Sequence, residues 1–418
     1  MELRVLGGAR EVGRSAFLLK TKRTSILMDY GALTRQEPAF PMHVSPKDVD
    51  AIFLTHAHLD HSGGIPIFYI SKGPELYATP LTLDTTELLI KDFIHLSGFY
   101  LPFDYIDLES MMRRATRIEN GDEVEVGDVT VKFLDAGHIP GSSMFLVEAD
   151  GKRILYTGDV NSIDTALLKG ARPKIGELDL LITESTYALE DHPDRKKTEE
   201  ELVSFLKEII EGGGTALVPA FAVGRAQEVA CILKKHRFPY RVYMDGMALK
   251  ANEIMIRYKD QLRDPKLFLR AMRDTEPVRS WGMRRRIVKE PCVIIAPAGM
   301  LSGGTAVFYN SEVAKNPKNG VVIVAYQVQG TPGRALLEER VAIIGGRPRK
   351  VKARVRRFDL SSHSGRSQLL ELIKGVKGNP KVLTVHGEEG NCVNFAKDIK
   401  EMFGFDAHAP TAGEVVKF

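Results

Sequence analysis

Thr55-His56-Ala57-His58-Leu59-Asp60-His61 follows the apolar run Ala51-Ile52-Phe53-Leu54 and precedes Ser62-Gly63-Gly64. Three histidines and one aspartate therefore fall within six residues at the end of a strand-like segment. On a tight loop there, His56 and His58 would point one way while Asp60 and His61 point another, giving two adjacent half-sites. Imidazole nitrogen with carboxylate oxygen, and no thiolate, suits Zn²⁺ or a similar divalent ion. The plain alternative is a histidine-rich surface loop. It is the weaker reading, because clustered histidines without a partner are costly near neutral pH.

The same kind of position recurs further along. His138 lies in DAGHIPGS after the run VTVKFL, Asp159 ends YTGD after RILYT, and His386 lies in VHGE after KVLT. Each alone is more simply a capped or hydrogen-bonded side chain. Together they form a set. Two metals need about eight ligand bonds, which His56, His58, Asp60, His61, His138, Asp159 and His386 supply if Asp159 bridges.

Around these loops the first 160 residues read as short strands between turns, with a helix expected around 81–96. From about 198 the rhythm changes. The nearly all-apolar runs TALVPA, CVIIAPAG and VVIVAY alternate with helical segments, the pattern of a parallel sheet covered on both faces. Near 358 the first rhythm returns with FDLSSHSG and KVLTVHGEE.

At 418 residues the chain suggests two or three domains. With 44% hydrophobic and 27% charged residues, it is not a disordered chain. The net charge of +4 neither demands nor excludes an anionic partner. Distribution says more: residues 279–289 carry five cations and no acid (Arg279, Arg284, Arg285, Arg286, Lys289), and 340–357 is likewise basic and acid-free. Three scattered cysteines argue against disulfides and thiolate zinc, and fit a reducing cytosol. No apolar run reaches 18 residues and no signal-peptide pattern opens the chain, so a cytoplasmic protein off the membrane is expected.

His56-x-His58-x-Asp60-His61, His138, Asp159 and the earlier Asp29 in LMDYG resemble the motifs of metallo-β-lactamase superfamily hydrolases. Three further motifs resemble its β-CASP nucleases: Glu184 in TESTY, His363 in SSHSG and His386 in VHGE. The loops PAFAVGRAQE, APAGMLSGG and AYQVQGTPGR are also similar to β-CASP loops. The resemblance covers essentially the whole chain. It reaches RNase J and, more closely, the endonuclease subunit of cleavage-and-polyadenylation machinery and its archaeal relatives. One departure is HSGR at His363, where the family commonly has an acid after a small residue.

The resemblance implies an α/β fold: an αββα sandwich with an inserted parallel-sheet cap. The sandwich would comprise 1–188 and 359–418, and the β-CASP insertion 189–358. It implies a hydrolase of RNA phosphodiester bonds with two Zn²⁺ per chain, acting through a two-metal hydroxide mechanism. His56, His58, His138 and Asp159 would hold one ion. Asp60, His61, Asp159 and His386 would hold the other, with Asp60 also counted as catalytic. Asp29 would orient the ligand loop. His363 would touch the scissile phosphate or protonate the leaving oxygen, held in place by Glu184. Histidine at 386 is similar to the RNA-acting branch, since DNA-processing members tend to carry an aliphatic residue there.

Single-stranded RNA is expected between core and cap. Arg225, Ser302, Gln327 and Arg334, in strand-end loops, are expected to hold its backbone. VKARVRR (351–357) reads either as an edge-protecting strand or as an RNA track. A homodimer or an RNA-processing complex is the expected assembly, with roles in mRNA 3′-end processing or decay, endonucleolytic or 5′-exonucleolytic. The competing readings are a DNA-acting β-CASP nuclease, a glyoxalase-II-like thioesterase and a noncatalytic RNA-binding scaffold.

Overall fold

The computed structural model describes residues 1–34 and 37–418, which fall into two compact units. The first comprises 1–163, 170–191 and 362–418; the second comprises 164–169 and 192–361. The excursion 164–169 is not foreseen from the sequence.

The first unit is built on two seven-stranded sheets. One runs in the order Val415–Lys417, Glu2–Gly7, Ala16–Lys20, Ser25–Met28, Ala51–Phe53, Glu75–Ala78, Ala115–Arg117. The other runs Asp406–His408, Lys381–Val385, Leu180–Glu184, Lys152–Tyr156, Ser143–Ala149, Val129–Asp135, Glu123–Val126. Leu3, Phe17, Met28 and Phe53 of the first sheet meet Phe133, Phe145, Tyr156, Ile182 and Leu383 of the second in one buried cluster. A second cluster, with Leu27, Ile52, Leu76, Ile90 and Phe93, lies under the helices Pro80–Ser97 and Tyr105–Arg113. A third, with Leu155, Leu181, Leu369, Phe395 and Ile399, lies under Arg366–Lys374 and Glu389–Phe403. Two sheets face to face with helices outside both make the αββα sandwich.

Local chemistry sets the helix ends. Thr79 Oγ1 accepts from Thr82 N, and Pro80 occupies the first turn, so the helix begins one residue before the expected 81. It is this helix, not a strand, that absorbs the apolar spacing of 81–96.

The second unit holds a six-stranded sheet in the order Glu276–Pro277, Val242–Met244, Val293–Ala296, Ala216–Pro219, Gly320–Ile323, Arg354–Arg357. Every pairing in it is parallel. The central strands are buried along their whole length, as the apolar runs require. Residues 341–350 form a separate hairpin, Val341–Ile344 with Arg347–Lys350, joined by the two-residue turn Gly345-Gly346 with both glycines at positive φ (60° and 76°).

The basic run 351–357 resolves into the edge strand Arg354–Arg357. Arg354 pairs with Glu208 at 2.8 Å and Arg356 with Glu201 at 2.7 Å. Both guanidiniums also lie over the Phe205 ring, at 4.5 and 5.7 Å from its centroid. These cations cover an edge strand and cap a helix face; the edge-protecting reading is the one the geometry favours. Among the described residues, no helix is long and apolar enough to cross a membrane.

Candidate metal centre

The ligand loop leaves strand Ala51–Phe53 and turns into the short helix Leu59–Ser62. Its backbone is stitched to a neighbouring segment: Ser15 N donates to Asp60 O (2.9 Å), Tyr30 N to His61 O (2.9 Å) and Ala32 N to Leu59 O (2.7 Å). Gly31 permits this approach, because a Cβ there would sit 1.7 Å from Asp60 O.

Asp29 is fully buried, in a left-handed conformation (φ 58°). It accepts from Thr55 N (2.8 Å), Thr55 Oγ1 (2.8 Å), Tyr156 OH (2.8 Å) and His61 Nδ1 (2.7 Å). With Nδ1–H of His61 committed to Asp29, Nε2 is left as a lone-pair donor. Two other ligand histidines are oriented alike. His138 Nδ1 donates to Ser362 O at 2.8 Å, and His386 Nδ1 lies 2.9 Å from Ser15 Oγ. His386 also adopts a left-handed backbone (φ 48°), the kind of conformation that persists where surrounding structure overdetermines it.

The freed nitrogens converge on Asp159. Oδ2 lies 3.5 Å from both His56 Nε2 and His138 Nε2. Oδ1 lies 3.3 Å from His61 Nε2 and 3.5 Å from His386 Nε2, and that same nitrogen is 3.7 Å from Asp60 Oδ2. These separations are long for hydrogen bonds. Two ligands, each about 2.1 Å from one tetrahedral ion, stand about 3.4 Å apart, so the spacing is that of a metal cage. The buried atoms His56 Nε2, His61 Nε2 and Asp159 Oδ1 have no hydrogen-bond partner among the described residues. Unsatisfied buried polar atoms cost about 1–3 kcal/mol each, and a cation would satisfy all three.

The donor atoms fall into overlapping groups, in which Asp60 stands apart from the set expected to share it. His56, His58, His138 and Asp159 form one; His61, Asp159 and His386 form another, with Asp60 grouped beside His56 and His61. Burial, reinforced by neighbouring imidazoles, holds His56 and His138 well below the usual histidine range. Burial pushes His58 down to about 4 against the pull of Asp60 and Asp159. Neutral imidazole is the form that ligates a metal. For His61 burial again opposes charge, yet Asp159 and Asp29 outweigh it and raise the value. Carboxylates that favour a proton there favour a metal cation equally.

Glu184, fully buried, receives His363 Nδ1 at 2.9 Å and Val160 N at 2.7 Å. Burial disfavours the His363 cation, but Glu184, ahead of Asp159, pushes the histidine up to about 9. The His363 ring lies 4.6 Å from that of His138, so the pair sits directly beside the ligands. The arginine that follows Gly365 at the departure from the family pattern, Arg366, has its own backbone N donating to Glu190 O, and Ser364 N donates to Val160 O. The loop holding His363 is thus fixed by backbone contacts.

The four residues expected to hold RNA all lie in the second unit. Ser302 is exposed, and Arg334 pairs with Glu338 at 2.6 Å on the helix Pro332–Glu338. Arg225 is buried at the start of Arg225–Lys235. Gln327 departs from expectation. It is 3% exposed, and Nε2 donates to Gly299 O, Ala325 O and Tyr326 O at 3.0–3.1 Å. Its amide ties two strand-end loops together and is not available to a phosphate. Gly333 makes room for it, since a Cβ there would meet Oε1 at 1.7 Å.

Sequence reasoning missed Ser15, Thr55, Tyr156 and Ser362, which orient the ligand histidines or their carboxylate. Thr55 alone carried a signal, by standing next to His56.

Known proteins resemble the chain in sequence and fold. Family models match at residues 24–211 (beta-lactamase superfamily domain), 226–336 (Beta-Casp domain) and 348–410 (Zn-dependent metallo-hydrolase RNA specificity domain). The chain is 41% identical to "RNase aCSPSF2" of Saccharolobus solfataricus, over 99% of this chain and 85% of that protein. It is 33% identical to "Transcription termination factor FttA" of Pyrococcus abyssi, over 99% of this chain and 70% of the relative. It is 31% identical to an "RNase J-like protein" of Methanocaldococcus jannaschii, over 99% of each. A solved structure, a protein of unknown function from Enterococcus faecalis V583, shares the fold with a TM-score of 0.63 at 16% identity, over 99% of both chains. With its sandwich, its parallel-sheet second unit and its histidine–aspartate cluster, the chain belongs to the β-CASP family of the metallo-β-lactamase superfamily.

Proposed function

We propose that the chain is a zinc-dependent ribonuclease that hydrolyses phosphodiester bonds of single-stranded RNA at the Asp159-centred cluster. The observation that carries this is the set of partnerless buried donor atoms, spaced like ligands around Asp159. His56, His58, His138 and Asp159 would hold one Zn²⁺, and Asp60, His61, Asp159 and His386 a second. Bound there, zinc supplies Lewis-acid stabilisation of phosphoryl charge and lowers the pKa of water at the site.

The chain's own groups account for the rest. Asp29 and Ser362 fix the tautomers of His61 and His138, so that both present Nε2. Glu184 keeps a proton on His363 Nδ1 and favours the cationic ring. That ring is then suited to contact the scissile phosphate and to give a proton to the leaving oxygen. The RNase names of the relatives and the RNA specificity match at 348–410 support RNA as the substrate. Arg225, Ser302 and Arg334 are proposed to contact its backbone, with Gln327 tying together the loops that carry Ser302 and Arg334. The three free cysteines are all buried, which is consistent with work in the reducing cytoplasm.

The test is an assay of purified, metal-analysed protein on RNA labelled separately at each end, bearing a 5′-triphosphate or 5′-monophosphate, with matched DNA and a thioester as controls. Internal fragments identify an endonuclease, and a released 5′-nucleotide an exonuclease. Intact RNA with bound zinc present would overturn the reading.

A further inference from the structure

The acid-free segment 279–289 carries the chain's one tryptophan, and the second unit builds it into a support. Trp281 opens the helix Trp281–Ile287, which Ser280 caps by accepting from Met283 N. The guanidinium of Arg284 lies over the indole, 4.7 Å from its centroid. Arg284 is itself locked: Nε meets Asp245 Oδ2 at 2.7 Å and Nη2 meets Oδ1 at 2.9 Å. Asp245 is fully buried and also accepts from Tyr309 OH at 2.7 Å. Phe308 meets the indole edge-on, with centroids 5.3 Å apart and planes at 85°. Trp281 nevertheless remains 56% exposed.

An indole held from beneath by a bidentate ion pair and from the side by a second ring has little rotamer freedom left to lose. Its exposed face is free to stack against another planar group. The surrounding charge says of what kind. Of the five cations in 279–289, Arg284 is matched by Asp245 and Arg286 lies 3.5 Å from Glu290. Arg279, Arg285 and Lys289 are exposed and make no ion pair among the described residues. An exposed, rigid aromatic face among unmatched cations is complementary to an unpaired base flanked by phosphates.

We propose that this surface is an accessory site for single-stranded RNA: a base stacks on Trp281, while Arg279, Arg285 and Lys289 take neighbouring phosphates. The inference rests on the ribonuclease reading for its choice of polyanion, but the site shares no residue with the Asp159 cluster and needs no metal. It would hold substrate beyond the few nucleotides at the reacting bond.

Because the chain has one tryptophan, indole fluorescence reports this site alone. The probe is a 2′-O-methyl oligouridylate of about 12 nucleotides, added to the full-length, metal-loaded protein. The expected result is saturable quenching that weakens with salt. Trp281→Ala and Arg285→Glu should each weaken binding about tenfold, read by anisotropy of the labelled oligonucleotide. Cleavage of a very short RNA should be unchanged in both, and Arg285, being exposed, can be altered without disturbing packing. Binding seen by anisotropy with no change in indole emission would overturn this site and leave the ribonuclease reading intact. Quenching by RNA that is never cleaved would support the site and overturn that reading. If either substitution changed only self-association of the chain, the surface would be a protein interface and the proposal would fail.

Discussion

Glu184 Oε2 and His363 Nδ1 stand 2.9 Å apart although 179 residues separate them in sequence. The carboxylate ends strand Leu180–Glu184, and the histidine lies just before helix Arg366–Lys374. This contact, with Asp159 beside it, favours the cationic ring of a half-buried histidine, where desolvation alone would favour the neutral one.

Glu184→Gln keeps the shape and removes the charge. The expected result is a fall in kcat of about 10²–10⁴ with zinc content unchanged, measured by RNA cleavage and elemental analysis on one preparation. An unaltered kcat would remove the pair from the reaction.

Asp29→Ala should loosen His61 without deleting a ligand. A fall of about 10–100-fold in zinc affinity is expected, read by competition with a chromophoric chelator. The loss of four hydrogen bonds to a buried acceptor should also lower thermal stability. Undiminished affinity would mean that Thr55 and the backbone suffice to hold the loop.

Asp60→Asn and His61→Ala should each lose zinc and RNA cleavage together while far-UV circular dichroism stays that of the parent chain. Either variant cleaving RNA at the parent rate in zinc-replete buffer would show that these residues are not the ligands.

Arg354 and Arg356 face Glu208 and Glu201 and cover Phe205. Replacing both by Ala should leave the dependence of RNA affinity on salt unchanged. The exposed ion pairs are each worth about 0.2–1 kcal/mol, so the melting temperature should fall only slightly. A shallower salt slope would instead make this strand an RNA track.

Asp359 accepts from His192 Nδ1 at 2.9 Å within the second unit. Burial opposes its charge, but this hydrogen bond prevails, and the carboxyl drops from 3.8 to about 2. A depressed carboxyl stabilises the fold above its unfolded value, and this is lost as pH falls through the folded one. Asp359→Asn should therefore cost about 2 kcal/mol at pH 7 and remove part of the stability change between pH 4 and pH 2. Urea unfolding at pH 7 and pH 3 measures both; equal slopes with pH in the two chains would contradict this role for Asp359.

Much of the centre was legible because its chemistry is local. His56, His58, Asp60 and His61 share one loop, and so dense a run of ligand-type residues at a strand end is hard to accommodate without a metal. His138, Asp159 and His386 were legible as strand-end residues of the right type, and a bridging Asp159 followed from counting ligands, but the spacing of their atoms around that carboxylate was not. That spacing depends on which strands lie side by side: Leu180–Glu184 pairs with both Lys152–Tyr156 and Lys381–Val385. The resemblance to the family carried Glu184 and His363, for which spacing alone offers nothing.

Gln327 shows the opposite case. A polar residue in a Gly-rich loop reads as available to a ligand, and only tertiary packing reveals that three carbonyls already occupy its amide. The strand Arg354–Arg357 is similar: alternation marks the strand, while the partners of its cations come from a helix about 150 residues earlier.

Residue type and periodicity by themselves determined the α/β class, the ligand loop and the parallel sheet of the second unit, because those signals arise within a few consecutive residues. Only the tertiary structure decided which imidazole nitrogen faces the metal position, which cations remain unmatched and which polar side chains are already bonded. Each of those depends on partners brought together from distant parts of the chain, and a hydrogen bond or ion pair has no signature until both ends are in place.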